Sequence, residues 1–177
     1  LFTDAPLTVG NSGSPLLNLQ GEVVGLVADV IGGPAGIGGI GVAVPGDLVA
    51  QSIADLERFG VPQRGWLGAS LISLDELPPV LLRAVGLTST QGAMVDRVEP
   101  GSPAARAGLK GAQRDTQGRL LALGDVILAV DGVAVKDKAD VVRLVAQRRP
   151  GDRVRLTLWR DRRRLEVTVV LMARPRE

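Results

Sequence analysis

The sequence predicts an α+β protein, mostly β-strand, in two units joined by a short linker. Short, apolar, β-branched runs recur along the 177-residue chain, as buried strands do. Two stretches, after residue 47 and after residue 137, instead repeat their apolar residues at helical spacing. Between them Val-Pro-Gln-Arg at residues 61–64 has the composition of a linker. The expected domains are therefore residues 1–60 and 65–177.

The composition excludes several kinds of site. The sequence has no cysteine and no histidine, which removes disulfides, iron–sulfur clusters and thiolate nucleophiles and leaves zinc only carboxylates. We therefore expect no metal and no cofactor. Arginines crowd the C-terminal part and could bind nucleic acid, but two Phe and two Trp offer little for base stacking. We favour the interpretation that these arginines lie on solvated faces of strands and helices. No nucleic-acid partner is expected.

The first unit is predicted to consist of strands and one helix. The strands are expected at residues 16–19, 22–28 and 41–45, and the helix ends near residue 59. The turn Asn-Leu-Gln-Gly at residues 18–21 joins the first two strands. Asp47 is the expected N-cap of the helix, and Gly60 the left-handed residue that ends it. Its apolar positions are Leu48, Val49, Ile53 and Leu56.

The second unit is predicted to be a sheet with three helices. The strands are expected at residues 66–72, 92–98, 125–132, 153–160 and 165–171. A short helix begins at the two prolines 78–79, a helix of one or two turns lies within residues 100–109, and a longer one covers 138–148. Asp137 and Asp140 form a capping-box pattern before the last of these. Residues 110–124 are polar and are predicted to form a surface loop.

The sequence Gly-Asn-Ser-Gly-Ser-Pro at residues 10–15 predicts a tight turn that presents the hydroxyl of Ser12. A serine needs a neighbouring base to attack a carbonyl, and it gains from backbone N–H groups aimed at the oxyanion. The amides of Gly10 and Ser12 could supply those donors. Glycine at positions 10 and 13 lets a substrate approach closely. The alternative is an ordinary Gly/Ser turn between strands.

Together with Thr-Asp-Ala at residues 3–5 and Leu-Leu at 16–17, this turn resembles the nucleophile segment of trypsin-like serine proteases, and most of all the HtrA/Deg branch. The resemblance implies that Ser12 is the nucleophile and that the Gly10 amide belongs to the oxyanion hole. Residues 1–60 would then be the C-terminal part of a trypsin-like β-barrel. Ser14 departs from the glycine that is commoner at its position.

The catalytic base of such a protease is absent from the sequence. A Ser-His-Asp triad needs an imidazole, and the chain has no histidine. In trypsin-like proteases the His and Asp precede the Ser, and the chain opens at Leu1 rather than at an initiator Met. We therefore expect an N-terminally truncated sequence that is inactive alone. A natural pseudoenzyme is the alternative.

A second resemblance covers residues 65–171. Its motifs are Glu-Pro-Gly-Ser-Pro-Ala-Ala at residues 99–105, Ala-Gly-Leu at 107–109, Gly-Asp-Val-Ile at 124–127 and Asp-Gly at 131–132. In this order they resemble the PDZ domain of bacterial-type HtrA proteases. The segment between Leu109 and Gly124 is longer than the usual link, which is expected of some organellar and cyanobacterial members.

Trp-Leu-Gly-Ala at residues 66–69 resembles the carboxylate-binding loop of HtrA-type PDZ domains. Such a loop needs free backbone N–H groups to capture a peptide C-terminus, and Gly68 permits the required bend. The residues expected to bind substrate are Trp66, Leu67, Gly68, Ala69, Leu71, Val142 and Val145. The alternative is an ordinary strand that contains a glycine.

Together the resemblances imply an HtrA-like serine endopeptidase fragment that acts in protein quality control on misfolded or unfolded proteins. The implied partners are unfolded polypeptides, peptide C-termini and, in the full-length protein, two further copies in a trimer. The implied location is periplasmic, extracytoplasmic or membrane-anchored, with any anchor in the missing N-terminal part. The alternative is a PDZ peptide-binding or chaperone module whose protease part is inert.

A third hypothesis, an NAD(P)-dependent reductase, rests only on the pattern Gly-x-Gly-x-x-Gly at residues 36–41. That fingerprint requires a helix that opens at the glycines. Here an apolar strand and Pro45 follow the last glycine instead. A loop of the protease part is therefore favoured over nucleotide binding.

Overall fold

The computed structural model describes residues 1–32 and 39–175, and it divides the chain into two compact units, Leu1–Gln63 and Arg64–Glu177. Within the described residues both units are built from antiparallel sheets with a few helices. The predicted class, mostly β with some α, is therefore confirmed. Residues 36–38 of the glycine run lie outside the described residues.

The first unit contains a sheet of short and medium strands. They are β1 (Phe2–Thr3), β2 (Pro15–Leu17), β3 (Val23–Ile31) and β4 (Ile40–Pro45), followed by helix α1 (Gly46–Phe59). Among the described residues the order is β1-β4-β3-β2, with every pairing antiparallel. The Asn18 side chain closes the β2–β3 turn by accepting hydrogen bonds from the amides of Gln20 (3.0 Å) and Glu22 (2.9 Å).

Helix α1 begins two residues earlier than predicted. Its N-cap is Pro45, and Asp47 lies in the first turn, where its carboxylate accepts from the adjacent Leu48 amide at 2.9 Å. The prediction that Asp47 caps this helix is therefore wrong, because strand β4 runs directly into it. A carboxylate in the first turn still favours the helix dipole. The predicted end is confirmed: Gly60 has φ +71°, and its amide donates to the Leu56 carbonyl at 2.9 Å.

The apolar positions of α1 are only half covered. Leu48, Ile53 and Leu56 keep 36%, 50% and 48% of their surface exposed. The buried residue on this helix is Asp55, whose carboxylate accepts from the Gln63 amide at 2.9 Å. The expected periodicity is present, but in this unit it does not produce a fully packed face.

The second unit has the larger sheet and both extended apolar cores. Its strands are β5 (Gly65–Trp66), β6 (Ala69–Ser73), β7 (Ala93–Val98), β8 (Gln113–Arg114), β9 (Leu120–Ala122), β10 (Val126–Val130), β11 (Val133–Ala134), β12 (Arg153–Arg160), β13 (Arg163–Val170) and β14 (Met172–Ala173). Its helices are α2 (Pro79–Ala84), α3 (Pro103–Arg106) and α4 (Lys138–Ala146). In the part of the chain that is described, the main sheet runs β13-β12-β10-β7-β6, which leaves β6 at an edge.

Alternating side chains of the sheet form the cores. On β12 the side chains of Val154, Leu156 and Leu158 are fully buried and pack with α4 and β10 in one cluster. A second cluster lies under α2 and includes Leu74, Met94 and the partly buried Trp159. The Trp159 indole donates to the Val85 carbonyl at 3.0 Å. This period-2 burial is what the apolar alternation predicted.

Three local features differ from the predictions. The strand expected at residues 66–72 is interrupted at residues 67–68, because Gly68 has φ +75°. The loop expected at residues 110–124 contains the β8–β9 hairpin. Asp140 does not complete a capping box: its carboxylate reaches the Lys136 amide at 3.0 Å, while Asp137 caps α4 as predicted by accepting from the Asp140 amide at 2.9 Å.

None of the helices in the described residues is long and apolar enough to cross a membrane.

A buried ion pair connects the end of β12 to the start of β10. Arg160 donates to both carboxylate oxygens of Asp125 at 2.6 Å, and the Lys110 amide donates to the same carboxylate at 2.7 Å. The hydrogen-bonded Asp125 raises the pKa of the Arg160 guanidinium above its ordinary value. Because the Asp125 side chain is completely buried, loss of Arg160 would leave a desolvated charge that keeps the Lys110 amide but has lost its counter-ion.

We predict that Arg160→Met lowers the free energy of unfolding of the second unit by about 3 kcal/mol. The matched control is Arg164→Met, an exposed residue of β13, which should change it by less than about 0.5 kcal/mol. Urea unfolding followed by tryptophan fluorescence measures both, since both tryptophans lie in this unit. Equal effects of the two substitutions would contradict a structural role for the pair.

Candidate functional site

The turn that carries Ser12 is fixed to strand β3. A 3-10 turn at Val9–Asn11 precedes the exposed Ser12, and Gly13 follows with φ +84°. The Gly13 amide donates to the Val27 carbonyl at 2.8 Å, and the Val27 amide donates back to Ser14 at 2.9 Å. These hydrogen bonds fix the segment after Ser12 to β3, and the Ser12 side chain is exposed.

Ser12 exposes its hydroxyl, and its amide and that of Gly10 lie in the same turn. Within the described residues its hydroxyl makes no hydrogen bond, and neither its amide nor that of Gly10 donates to an element outside the turn. These two amides are the predicted oxyanion donors. The chain contains no histidine, so no imidazole of its own can deprotonate the hydroxyl.

The second unit has an open apolar groove of about 260 Å³ between strand β6 and helix α4. Because β6 pairs only with β7 among the described strands, its other edge offers unpaired backbone groups to a ligand strand. The opposite wall is α4, with Val145 buried and Val142 60% exposed. This is the geometry of strand addition, in which main-chain hydrogen bonds hold the peptide and side-chain pockets select it.

The loop at one end of the groove presents amides rather than carbonyls. The Leu67 carbonyl accepts from the Ala104 amide and the Gly68 carbonyl from the Glu99 amide, both at 2.9 Å. Both carbonyls are thus turned toward the α3 segment. The amides of Leu67 and Gly68 donate no hydrogen bond to any described residue. Adjacent free amides form a site for an anion such as a carboxylate.

Gly68 is required at this position for two reasons. Its φ of +75° is a conformation that other residues adopt at a cost. A Cβ there would overlap the Ser102 Cβ and lie 2.8 Å from the Ser102 Oγ and 3.0 Å from the Trp66 ring. The close packing of Ser102 against the loop therefore fixes the direction in which its amides point.

The same end of the groove is tied to the C-terminal end of α4. The Gly65 amide donates to the Arg148 carbonyl at 2.6 Å, and the Arg148 guanidinium binds Asp131 at 2.8 Å. The Asp131 carboxylate also accepts from the Arg155 amide at 2.8 Å. These hydrogen bonds, first that of the Arg155 amide and then that of Arg148, hold the pKa of Asp131 below its ordinary value.

The structure brings all seven predicted substrate-binding residues to this groove. They are Trp66, Leu67, Gly68, Ala69, Leu71, Val142 and Val145. Sequence reasoning missed further lining residues, namely Arg64, Gly65, Val141, Ala146 and Arg174. Arg174 comes from the segment after β14, which pairs with β5 through Met172 and Trp66. No local sequence signal joins segments this far apart.

Comparison with known proteins agrees with this geometry. The family model for the PDZ domain matches residues 65–171. The chain belongs to the PDZ domain family. The matched range includes the groove, the free-amide loop and helix α4, so the PDZ domain predicted from the motifs is confirmed.

The relatives extend the likeness beyond the PDZ domain. A probable periplasmic serine endoprotease, DegP-like, from Brucella suis is 33% identical over 98% of this chain and 31% of its own length. The solved HtrA-type protease AlgW with tripeptide is 31% identical, with a TM-score of 0.73 over 99% of this chain and 54% of that one. AlgW with decapeptide gives 31% and 0.71 over 99% and 50%. The predicted HtrA/Deg resemblance is confirmed, and the chain spans about a third of the length of the curated relatives it matches.

We predict that Gly68→Ala destabilises the PDZ domain more than Gly101→Ala does. Both glycines have positive φ, +75° and +72°, so both substitutions cost about 1 kcal/mol of backbone strain. Gly101 has open space around a new Cβ, whereas Gly68 meets Ser102, which adds about 1–3 kcal/mol. Urea unfolding of the two variants measures the difference. Equal destabilisation would show that the Ser102 contact does not constrain the loop.

Proposed function

We propose that this chain carries the nucleophile segment of an HtrA-like serine endopeptidase together with a PDZ domain that binds peptide C-termini. Its substrates are misfolded or unfolded polypeptides, which makes its role protein quality control. The observation that carries the proposal is the apolar groove that ends in the free amides of Leu67 and Gly68. Such a groove fits an extended chain that ends in a carboxylate.

The groove determines the chemistry of the peptide. Its carboxylate end is lined by Leu67 and Val145, and Leu71 and Val142 follow along the walls. Alternate side chains of an extended peptide point to the same side, so apolar residues are expected at the last and third-last positions. Arg174 lines the groove and follows Ala173, which pairs with Gly65 next to the loop. Its positive charge would favour a free acid over an amide.

The proteolytic part of the proposal rests on the Ser12 turn and on the relatives. The turn exposes a hydroxyl beside the backbone amides of Gly10 and Ser12, and matched relatives are named serine endoproteases. Apolar side chains of α1 stay half exposed in the first unit, which fits residues 1–60 being part of a larger protease domain. That domain would supply the His and Asp. In the alternative function the protease part is inert and the PDZ domain acts as a peptide receptor or chaperone.

The relatives also lead us to propose a location and an assembly. The matched DegP-like proteins are named periplasmic, so an extracytoplasmic location is proposed for this chain. A homotrimer of the full-length protein is proposed from the HtrA resemblance alone.

We predict that the 177-residue chain binds free-acid peptides with apolar last and third-last residues at a Kd of about 1 μM, equivalent to roughly −8 kcal/mol. Each fully buried aliphatic anchor contributes about 1.5–3 kcal/mol, which is offset in part by ordering the peptide. Fluorescence anisotropy of a labelled peptide measures the Kd.

The control is the same peptide with an amidated C-terminus. Free amides at Leu67 and Gly68 gain little from a neutral group, so we expect binding at least about tenfold weaker, a loss of roughly 1.4 kcal/mol. Equal affinity for the acid and the amide would contradict a carboxylate site in this loop.

We predict that Ser12→Ala in a longer protein containing this segment lowers kcat for casein by about 10⁶ and leaves the Kd for peptides unchanged. The reason is that the hydroxyl is the nucleophile and the groove contains no part of its turn. Ser89→Ala, which changes an exposed serine of the PDZ domain, is the matched control and should retain activity.

The 177-residue chain should not turn over casein, because it has no imidazole base. Two results would contradict the proposal: a Ser12→Ala enzyme that keeps most of its activity, or a wild-type longer protein that has none. The second would favour the inert-protease alternative.

A further inference from the structure

Helix α4 is tied directly to strand β6 at the end of the groove away from the carboxylate loop. The Ser73 Oγ, at the last position of β6, accepts a hydrogen bond from the Lys138 amide at 3.1 Å. Lys138 is the first residue of α4, where a backbone amide has no partner within the helix. Ser73 is only 5% exposed, so this is a buried side chain with a defined partner rather than a surface contact.

Two further contacts lie next to the hydrogen bond between Ser73 and the Lys138 amide. The Lys138 ammonium binds Glu76 at 2.8 Å, with both side chains about half exposed. That hydrogen bond holds the pKa of the Glu76 carboxyl below its ordinary value. The Gly92 amide donates to the Lys136 carbonyl at 2.9 Å, which holds the loop before α4 rather than the helix itself. The exposed ion pair between Lys138 and Glu76 contributes little to stability.

A separate hydrogen bond therefore holds helix α4 at each end of the groove. Near the carboxylate loop, Gly65 donates to Arg148 beyond the C-terminal end of α4. At the far end, Ser73 holds the N-terminal end of the same helix. Between these two points the β6 edge and α4 form the facing walls. At the far end Ser73 is thus the side chain of β6 that binds α4, beside the exposed ion pair of Lys138 with Glu76.

We propose that Ser73 is a positioning residue that sets the width of the far half of the peptide groove, so that it controls the binding of long peptides but not of short ones. The inference rests on the proposed peptide-binding function. A peptide whose carboxylate meets the amides of Leu67 and Gly68 must run back along β6 toward Ser73. At about 3.3 Å per residue, three residues extend from the loop to the level of Leu71. A longer peptide continues past Ser73.

The test compares two free-acid peptides that share their last three residues, Val-Ser-Val: the tripeptide and a decapeptide. Ser73→Ala removes the acceptor of the hydrogen bond between Ser73 and Lys138, and Lys138→Pro removes its donor. Proline is tolerated at the first position of a helix, and Asp137 before it is already extended, with φ −150° and ψ −178°. Both variants should raise the Kd of the decapeptide about fivefold, the effect of one lost hydrogen bond. Faster dissociation should account for most of the change.

The tripeptide Kd should stay within about twofold in both variants, since the carboxylate end keeps its own tie. Two controls isolate the hydrogen bond. Lys138→Ala keeps the amide and removes only the ion pair with Glu76. Ser89→Ala removes an Oγ that accepts from the Gln91 amide at 3.0 Å away from the groove. Both should bind the two peptides like the wild type. Because Lys138→Pro leaves the buried Ser73 in place, it decides the matter if Ser73→Ala does not fold.

Three outcomes would overturn the inference. An unchanged decapeptide Kd in both variants would show that the hydrogen bond between Ser73 and Lys138 does not set the width of the groove. Equal weakening of both peptides would show a general loss of structure rather than positioning. Equal effects of Lys138→Ala and Lys138→Pro would assign the effect to the ion pair. If the wild-type chain binds neither peptide, the proposed peptide-binding function itself is refuted. The role of Ser73 is judged separately, from the differences between the variants and the wild type.

Discussion

The peptide groove depends on the orientation of two peptide groups, those whose carbonyls belong to Leu67 and Gly68. Each carbonyl accepts a backbone hydrogen bond from the segment around α3, so the loop cannot turn them toward the groove. The Gly68 amide shares a peptide group with the Leu67 carbonyl and therefore points the opposite way. Neither it nor the Leu67 amide donates to a residue that the structure describes. A buried or half-buried amide without a partner is costly, and a carboxylate from outside can relieve that cost. Ser102 adds the steric constraint, since it leaves no space for a side chain at residue 68.

The rest of the PDZ domain holds the two walls around this loop. Strand β6 is fixed through β7 to the sheet, and α4 packs on the same sheet through buried Val141, Leu144 and Val145. Buried apolar contacts of this kind stabilise the domain but permit sliding of one element along another. Specific hydrogen bonds at Gly65 and Ser73 fix the register of helix against strand. Packing therefore supplies the stability of the groove, and a few polar contacts supply its dimensions.

Local signals in the sequence were enough to predict most helices and strands and the seven groove residues. Gly60 and Asp137 end or begin helices through chemistry confined to a few neighbouring residues. The spacing of Val142 and Val145 along α4 likewise placed both on the groove wall. Asp47 failed as a cap because β4 continues to Pro45, a fact set by pairing with β3. Arg174 was not predictable because the β5–β14 pairing that delivers it joins residues at opposite ends of the unit.

The Ser12 turn and the peptide groove differ in what each can do within this chain. The groove has every group its chemistry needs, because backbone amides and apolar walls act without any proton transfer. The turn presents a hydroxyl and amides, but an attack on a peptide bond also requires a base that accepts the serine proton. Oxyanion donors alone stabilise a charge that such an attack would first have to create. The proposed peptide binding therefore requires only groups that the described residues supply, whereas the proposed proteolysis would depend on a base that this sequence does not contain.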